Sequence, residues 1–132
     1  AVLQNVIRDA SGSEKARAVV AQGVLLEAGR LLVLDCDVPW KEAVLGSSEY
    51  EQVLYVISPD SQTKWHVNTV PDYTGSFSNR KPLPSAWAGL DGEELDAVVG
   101  MKDCVFCHRG RFVAGHKTKE GALEMARLAL WD

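Results

Sequence analysis

The chain has 132 residues, with 14 Lys and Arg against 18 Asp and Glu, for a net charge of −4. At 46% hydrophobic and 24% charged it has the balance of one globular domain, long enough to bury a core without disulfide or metal staples. No apolar run approaches the ~18 residues of a membrane span, so no membrane partner is expected. The pI near 5.3 excludes a general coat of basic charge but leaves room for a local basic patch.

Three cysteines, Cys36, Cys104 and Cys107, are too few and odd in number for a secreted disulfide framework, so a reducing, intracellular compartment is expected. The chain lacks an initiator Met and opens with Val2, Leu3, Val6 and Ile7 spaced for one helix face. It therefore reads as part of a longer or processed protein, beginning with a helix over 1–10.

A second helix is expected from Ser13 to about Ala28, weakened by roughly 1 kcal/mol at Gly23. The alternative is a hairpin of Val24–Leu26 and Leu31–Leu34 about Ala28-Gly29. Pro39 suits the first turn of a short helix through Trp40, Lys41, Glu42 and Leu45. The apolar run 52–58 predicts a central strand. Residues 64–70 alternate, with Trp65, Val67 and Thr69 on one face and Lys64, His66 and Asn68 on the other, which predicts a half-buried antiparallel partner. Residues 71–90 carry Pro71, Gly75, Pro82, Pro84 and Gly89 and predict a long irregular loop, a kind of segment that is often functional.

Asp91 opens a helix with Glu94 as its capping box, and Gly100 closes it. Cys104–His108 and Arg111–Ala114 read as short strands about Arg109-Gly110. Thr118 caps a last helix with Ala122, Leu123, Ala126, Ala129 and Leu130 as its apolar stripe. The order of elements predicts a single compact α+β domain, a mixed, largely antiparallel sheet with helices packed on one face or both.

Three signals carry chemistry. Residues 104–119 hold Arg109, Arg111, Lys117, Lys119 and His116 with no acid. There Gly115-His116-Lys117-Thr118 would set a flexible backbone, an imidazole and an ammonium at a helix N-terminus, an anion site if the ligand can approach Gly115. The competing reading is a capped helix after a hairpin, with a solvated basic rim. The 71–90 loop interleaves Tyr73, Phe77 and Trp87 with Arg80 and Lys81, a pattern suited to stacking on bases and pairing with phosphates. The same aromatics could instead pin the loop to the core. Cys104-Val105-Phe106-Cys107-His108 matches a haem-attachment or half-zinc pattern. It is set aside because Cys104 and Cys107 would face opposite ways on a strand and no second Cys pair exists. No catalytic or metal-binding constellation is evident.

Three segments together resemble a known family. They are Cys36-Asp37-Val38-Pro39-Trp40-Lys41-Glu42; then Ser76-Phe77-Ser78-Asn79-Arg80-Lys81-Pro82-Leu83-Pro84 with Trp87, Gly89 and Leu90; then Phe112-Val113-Ala114-Gly115-His116-Lys117-Thr118-Lys119-Glu120-Gly121-Ala122 with Met125-Ala126. In this order they resemble the C-terminal half of the Myg exonuclease family, itself similar to the DHH phosphoesterase superfamily. Ala114 stands where that family more often has Gly.

The resemblance implies that residues 1–132 are the C-terminal substrate-binding domain of a two-domain, metal-dependent phosphoesterase, a 3′–5′ RNA exonuclease or a related enzyme, with 1–12 as a helix between the domains. Catalytic residues and the metal, manganese or magnesium, would lie on the other domain, with no cofactor in this one. Gly115, His116, Arg80, Lys117 and Thr118 would hold a substrate phosphate, and Phe77 and Trp40 would stack or anchor an interface. Partners would be the chain's own N-terminal catalytic domain, single-stranded RNA or another phosphate-bearing substrate, and a second copy in a homodimer. Mitochondria and the nucleus are the implied locations. The alternative is a structural domain that packs on the catalytic domain or dimerises without touching substrate.

Overall fold

The computed structural model describes residues 14–60 and 63–132. The helix expected over 1–10, and the interdomain role given to 1–12, lie outside the described residues. Among these residues there are four α-helices and a six-stranded sheet. Helix α1 (14–21) stops where a Cβ at Gly23 would meet Leu32 and Leu34 at 2.8 and 2.9 Å. The hairpin alternative is therefore the one that forms. Strands β1 (Val24–Leu26) and β2 (Leu31–Val33) pair antiparallel about a turn in which Glu27, Ala28 and Gly29 all take positive φ.

The short helix forms as α2 (Lys41–Leu45), with Trp40 at its N-cap and Pro39 before its first turn rather than in it. It lies in the crossover that lets β3 (Tyr55–Pro59) run parallel to β2. Strand β4 (Trp65–Thr69) pairs antiparallel with β3. Helix α3 (Gly92–Val99) ends at Gly100 in the left-handed conformation (φ 88°), as the glycine suggested. Its expected capping box does not form, since Asp91 makes no side-chain cap bond. Strands β5 (Cys104–Cys107) and β6 (Val113–His116) follow, then helix α4 (Lys119–Leu130). Thr118 caps α4 as read from the sequence, its Oγ1 accepting from the Gly121 N–H at 2.9 Å.

The sheet order is β1-β2-β3-β4-β6-β5, with β2–β3 the one parallel pair in it. This is the mixed, mostly antiparallel α+β sheet expected. Each face carries its own core. On one, Leu31, Tyr55, Ile57, Val67 and Ala114 pack under Leu95 of α3 and Ala122, Met125, Ala126 and Ala129 of α4. On the other, Leu32, Leu34 and Val56 pack under Ala16, Val19 and Val20 of α1 and Val44 of α2. The period-two alternation along β4 places Trp65, Val67 and Thr69 toward α4, with His66 and Asn68 on the opposite face.

Candidate functional site

Of the residues read as a phosphate site, Gly115, His116, Lys117 and Thr118 lie together and Arg80 lies apart from them. Strand β6 runs two residues past the expected end, so Gly115 and His116 lie in the sheet rather than in the turn before α4. His116 faces α4 and is 3% exposed. Its Nε2 lies 2.7 Å from the Lys102 carbonyl, and its Nδ1 accepts from the Thr118 N–H at 2.9 Å. A carbonyl can only accept, so Nε2 carries the proton and the imidazole is a neutral, fully bonded strut. Gly121 of α4 sits on this ring so closely that a Cβ there would fall inside it.

Gly115 has a similar reason to be glycine. A Cβ would meet the Phe106 ring at 2.7 Å, so Phe106 lies over the bare backbone where ligand approach was expected. Lys117 turns to Asp103, donating its N–H to that carbonyl and holding Nζ 3.8 Å from Oδ1. Thr118 is spent on the cap and on His116. Lys119 lies over the Trp65 ring at 5.6 Å. Arg111 takes a positive φ of 63° and donates Nε–H to the Leu83 carbonyl at 2.7 Å. Three cations of the basic run, Arg111, Lys117 and Lys119, thus attach to separate features.

Arg80 is a fold residue too. Its Nη1 donates to the carbonyls of Tyr50 and Val53 at 2.7 and 2.8 Å, tying the long loop to the segment before β3. Its N–H bonds the Val70 carbonyl beyond one end of β4, whereas His116 pairs with Trp65 at the other end. Five residues of strand separate these positions, roughly 16 Å at 3.3 Å each.

The opposite-face argument at the cysteines needs correction. A bulge shifts the β5–β6 register, setting Cys104 opposite His116 and Phe106 opposite Gly115. Cys104 and Cys107 therefore enter the same core under α3 and α4. Burial pushes the Cys104 thiol up to about 12 and that of Cys107 to about 11. At neutral pH neither supplies the thiolate that metal ligation or exchange requires. No group of three or more His, Cys, Asp or Glu placed to hold a metal ion occurs among the described residues. The metal implied for the family does not fit these side chains, and no step through it is assigned to them.

A different place gathers the three motif segments. A cleft of about 510 Å³ is lined by Trp40 and Lys41 of the first, by Phe77 and Asn79 of the second, and by Phe112 and Val113 of the third. Trp40 is buried and forms a wall. Phe77 is fully exposed, and Phe112 is nearly half exposed with His108 against it at 4.4 Å between ring centroids. A wider cleft shares Trp40, Lys41 and Thr74 and adds Lys15 and Arg17, with Asp37 and Glu42 opposing their charge. Of these residues the sequence singled out Phe77 and Trp40. Lys41, Asn79 and Phe112 were missed as site residues, although each lies within or beside a quoted motif.

The MYG1 exonuclease family model, described as "Uncharacterised protein family (UPF0160)", matches residues 1–130. The chain belongs to this family. It is 43% identical over 96 residues to human "MYG1 exonuclease", an alignment covering 70% of this chain and 26% of that protein. It is 37% identical over 103 residues to Dictyostelium discoideum "MYG1 protein", covering 75% and 31%. With the Saccharomyces cerevisiae "MYG1 protein YER156C" it shares 35% over 124 residues, covering 87% and 37%. The chain thus spans between about a quarter and somewhat over a third of these MYG1 relatives. No solved structure matches it significantly. Membership suggests a nuclease-related role, and the cleft is where the MYG1-like motifs meet in space.

Proposed function

We propose that this part of a MYG1-family protein grips single-stranded RNA for 3′–5′ exonucleolytic cleavage, and that the strand enters the cleft beside Phe77. The observation that carries this reading is Phe77 itself. It is an apolar ring held fully in solvent on the rim of a concave site, with Lys41 and Asn79 beside it and Phe112 on the same cleft. Sequence-tolerant single-strand binding uses this combination of aromatic platforms for bases and a cation for the backbone. Bond cleavage, and the manganese or magnesium it would use, belong in this proposal to the remainder of the longer protein, whose catalytic domain is the first partner. Mitochondrial and nuclear locations and a homodimer are parts of the same proposal.

A second reading is favoured at one point. The buried, doubly bonded imidazole of His116 supports a scaffolding role for the Gly115-His116 segment rather than phosphate contact.

The test is the affinity of the whole protein for a short single-stranded RNA across a salt series. Phe77→Ala should weaken binding roughly fivefold to a hundredfold, from about 1–3 kcal/mol of stacking per base, with no change in Tm. Lys41→Ala should flatten the salt dependence by about one phosphate contact. Wild-type affinity in Phe77→Ala would contradict the assignment.

A further inference from the structure

The sheet face opposite α3 and α4 is covered over β2 and β3, where α1 and α2 pack on Leu32, Leu34 and Val56. Over β4, β6 and β5 the same face carries His66, Asn68, Val113, Gly115 and Phe106. His66, Asn68, Val113 and Phe106 are partly exposed, and Gly115 is buried beneath the Phe106 ring. Asn68 and Val113 also line the cleft at Phe77, so the half-covered face and the cleft are continuous.

Its chemistry is unusual for a surface awaiting another apolar layer. Phe106 packs against the bare backbone of Gly115, and its ring and that of His66 stand at right angles with centroids 5.9 Å apart. The Asn68 amide spends its protons inward, donating to the Val56 carbonyl at 3.0 Å and to Ser58 Oγ at 3.2 Å. No described buried side-chain polar atom lacks a partner, so an Asn68 carbonyl oxygen without a protein donor is not fully buried. Lys64 precedes β4 on the parity of His66 and Asn68, and Lys41 stands at the cleft end. Asp60 is the acid nearby, and it holds the Lys64 N–H at 3.1 Å and lies 3.7 Å from His66 Nε2.

We propose that this open half of the sheet continues the single-stranded RNA path out of the cleft. One nucleotide base stacks at Phe106, the Asn68 carbonyl accepts from a base edge, and Lys64 meets the backbone phosphate. Open sheets with flat aromatics and flanking cations stack two or three bases in this manner. Lys64 and Lys41, before β4 and at the cleft end, offer cations to a polyanion, and the alternation of ring, amide and imidazole suits bases better than it suits a greasy protein face. This inference rests on the cleft reading and extends it.

The experiment compares the whole protein with Phe106→Leu, Lys64→Ala and Phe77→Ala on two RNAs, one just long enough for the cleft and one several nucleotides longer. Phe106→Leu keeps an apolar cover over Gly115, and Lys64→Ala alters a side chain outside both cores, so folding is kept in at least one of them. On the longer RNA, Phe106→Leu and Lys64→Ala should each weaken binding about tenfold, and on the shorter one neither should change it. If both variants bind the longer RNA as wild type does while Phe77→Ala is weakened, the extended path is wrong and the cleft stands. If Phe77→Ala is also silent, the cleft reading falls with it. If Phe106→Leu and Lys64→Ala disturb self-association or domain docking and leave RNA affinity intact, the face is a protein interface and the proposal is overturned.

Discussion

Gly121→Ala should destabilise the protein by about 3 kcal/mol or more, lowering Tm by roughly 10 °C, because the added methyl must occupy the space of a buried ring. A Cβ at this position would overlap the imidazole of His116, not the end of a mobile side chain. The ring cannot step aside cheaply. Its Nε2 is bonded to the Lys102 carbonyl and its Nδ1 to the Thr118 N–H, and Thr118 in turn caps α4. Displacing His116 therefore breaks the joint between β6 and the helix that covers the main core. Thermal unfolding followed by far-UV circular dichroism measures the effect. An unchanged Tm would mean that the ring and helix are less tightly joined than this geometry requires. RNA affinity of the folded Gly121→Ala fraction should be kept, since the cleft lies elsewhere.

Arg80→Met should cost about 2–4 kcal/mol, because it keeps the aliphatic stem and leaves the carbonyls of Tyr50 and Val53 without their charged donor. Tyr50 and Val53 are buried, so water does not readily replace the guanidinium. A phosphate-binding arginine would behave differently, losing affinity and salt dependence while the unfolding midpoint stayed put. Urea denaturation beside RNA titration separates the two. Loss of midpoint with affinity retained in the folded protein is the expected outcome, and the reverse pattern would return Arg80 to the binding site.

Local rules were legible along much of the chain. Thr118 could be read as a cap, Gly100 as a helix stop and the 64–70 alternation as a half-buried strand, because each depends on a few neighbouring residues. The hairpin at 24–33 was ambiguous from sequence, since an apolar run after α1 fits a longer helix until Leu32 and Leu34 close on Gly23. The β5–β6 bulge was not legible. One extra residue, Val105, changes which faces Cys104, Phe106 and Cys107 take, and no local signal marks it.

Less of the candidate site was legible, because its glycines and its arginine answer to distant elements. Gly115 was interpreted through chain flexibility, whereas it and Gly121 each make room for a ring from another element, Phe106 and His116. Arg80 beside Phe77 looked like one binding motif, but the loop turns the arginine inward and the phenylalanine outward. The cleft joins segments around residues 40, 77 and 112, far apart along the chain, and nothing in their spacing predicts that they meet.

The central claim is that nucleic acid lies beside Phe77 and not at His116. Hydrogen exchange of the whole protein with and without a single-stranded RNA tests it most directly. The account predicts slowed exchange at 74–79 and 110–113, with 116–121 unchanged. Protection confined to 116–121 would contradict it.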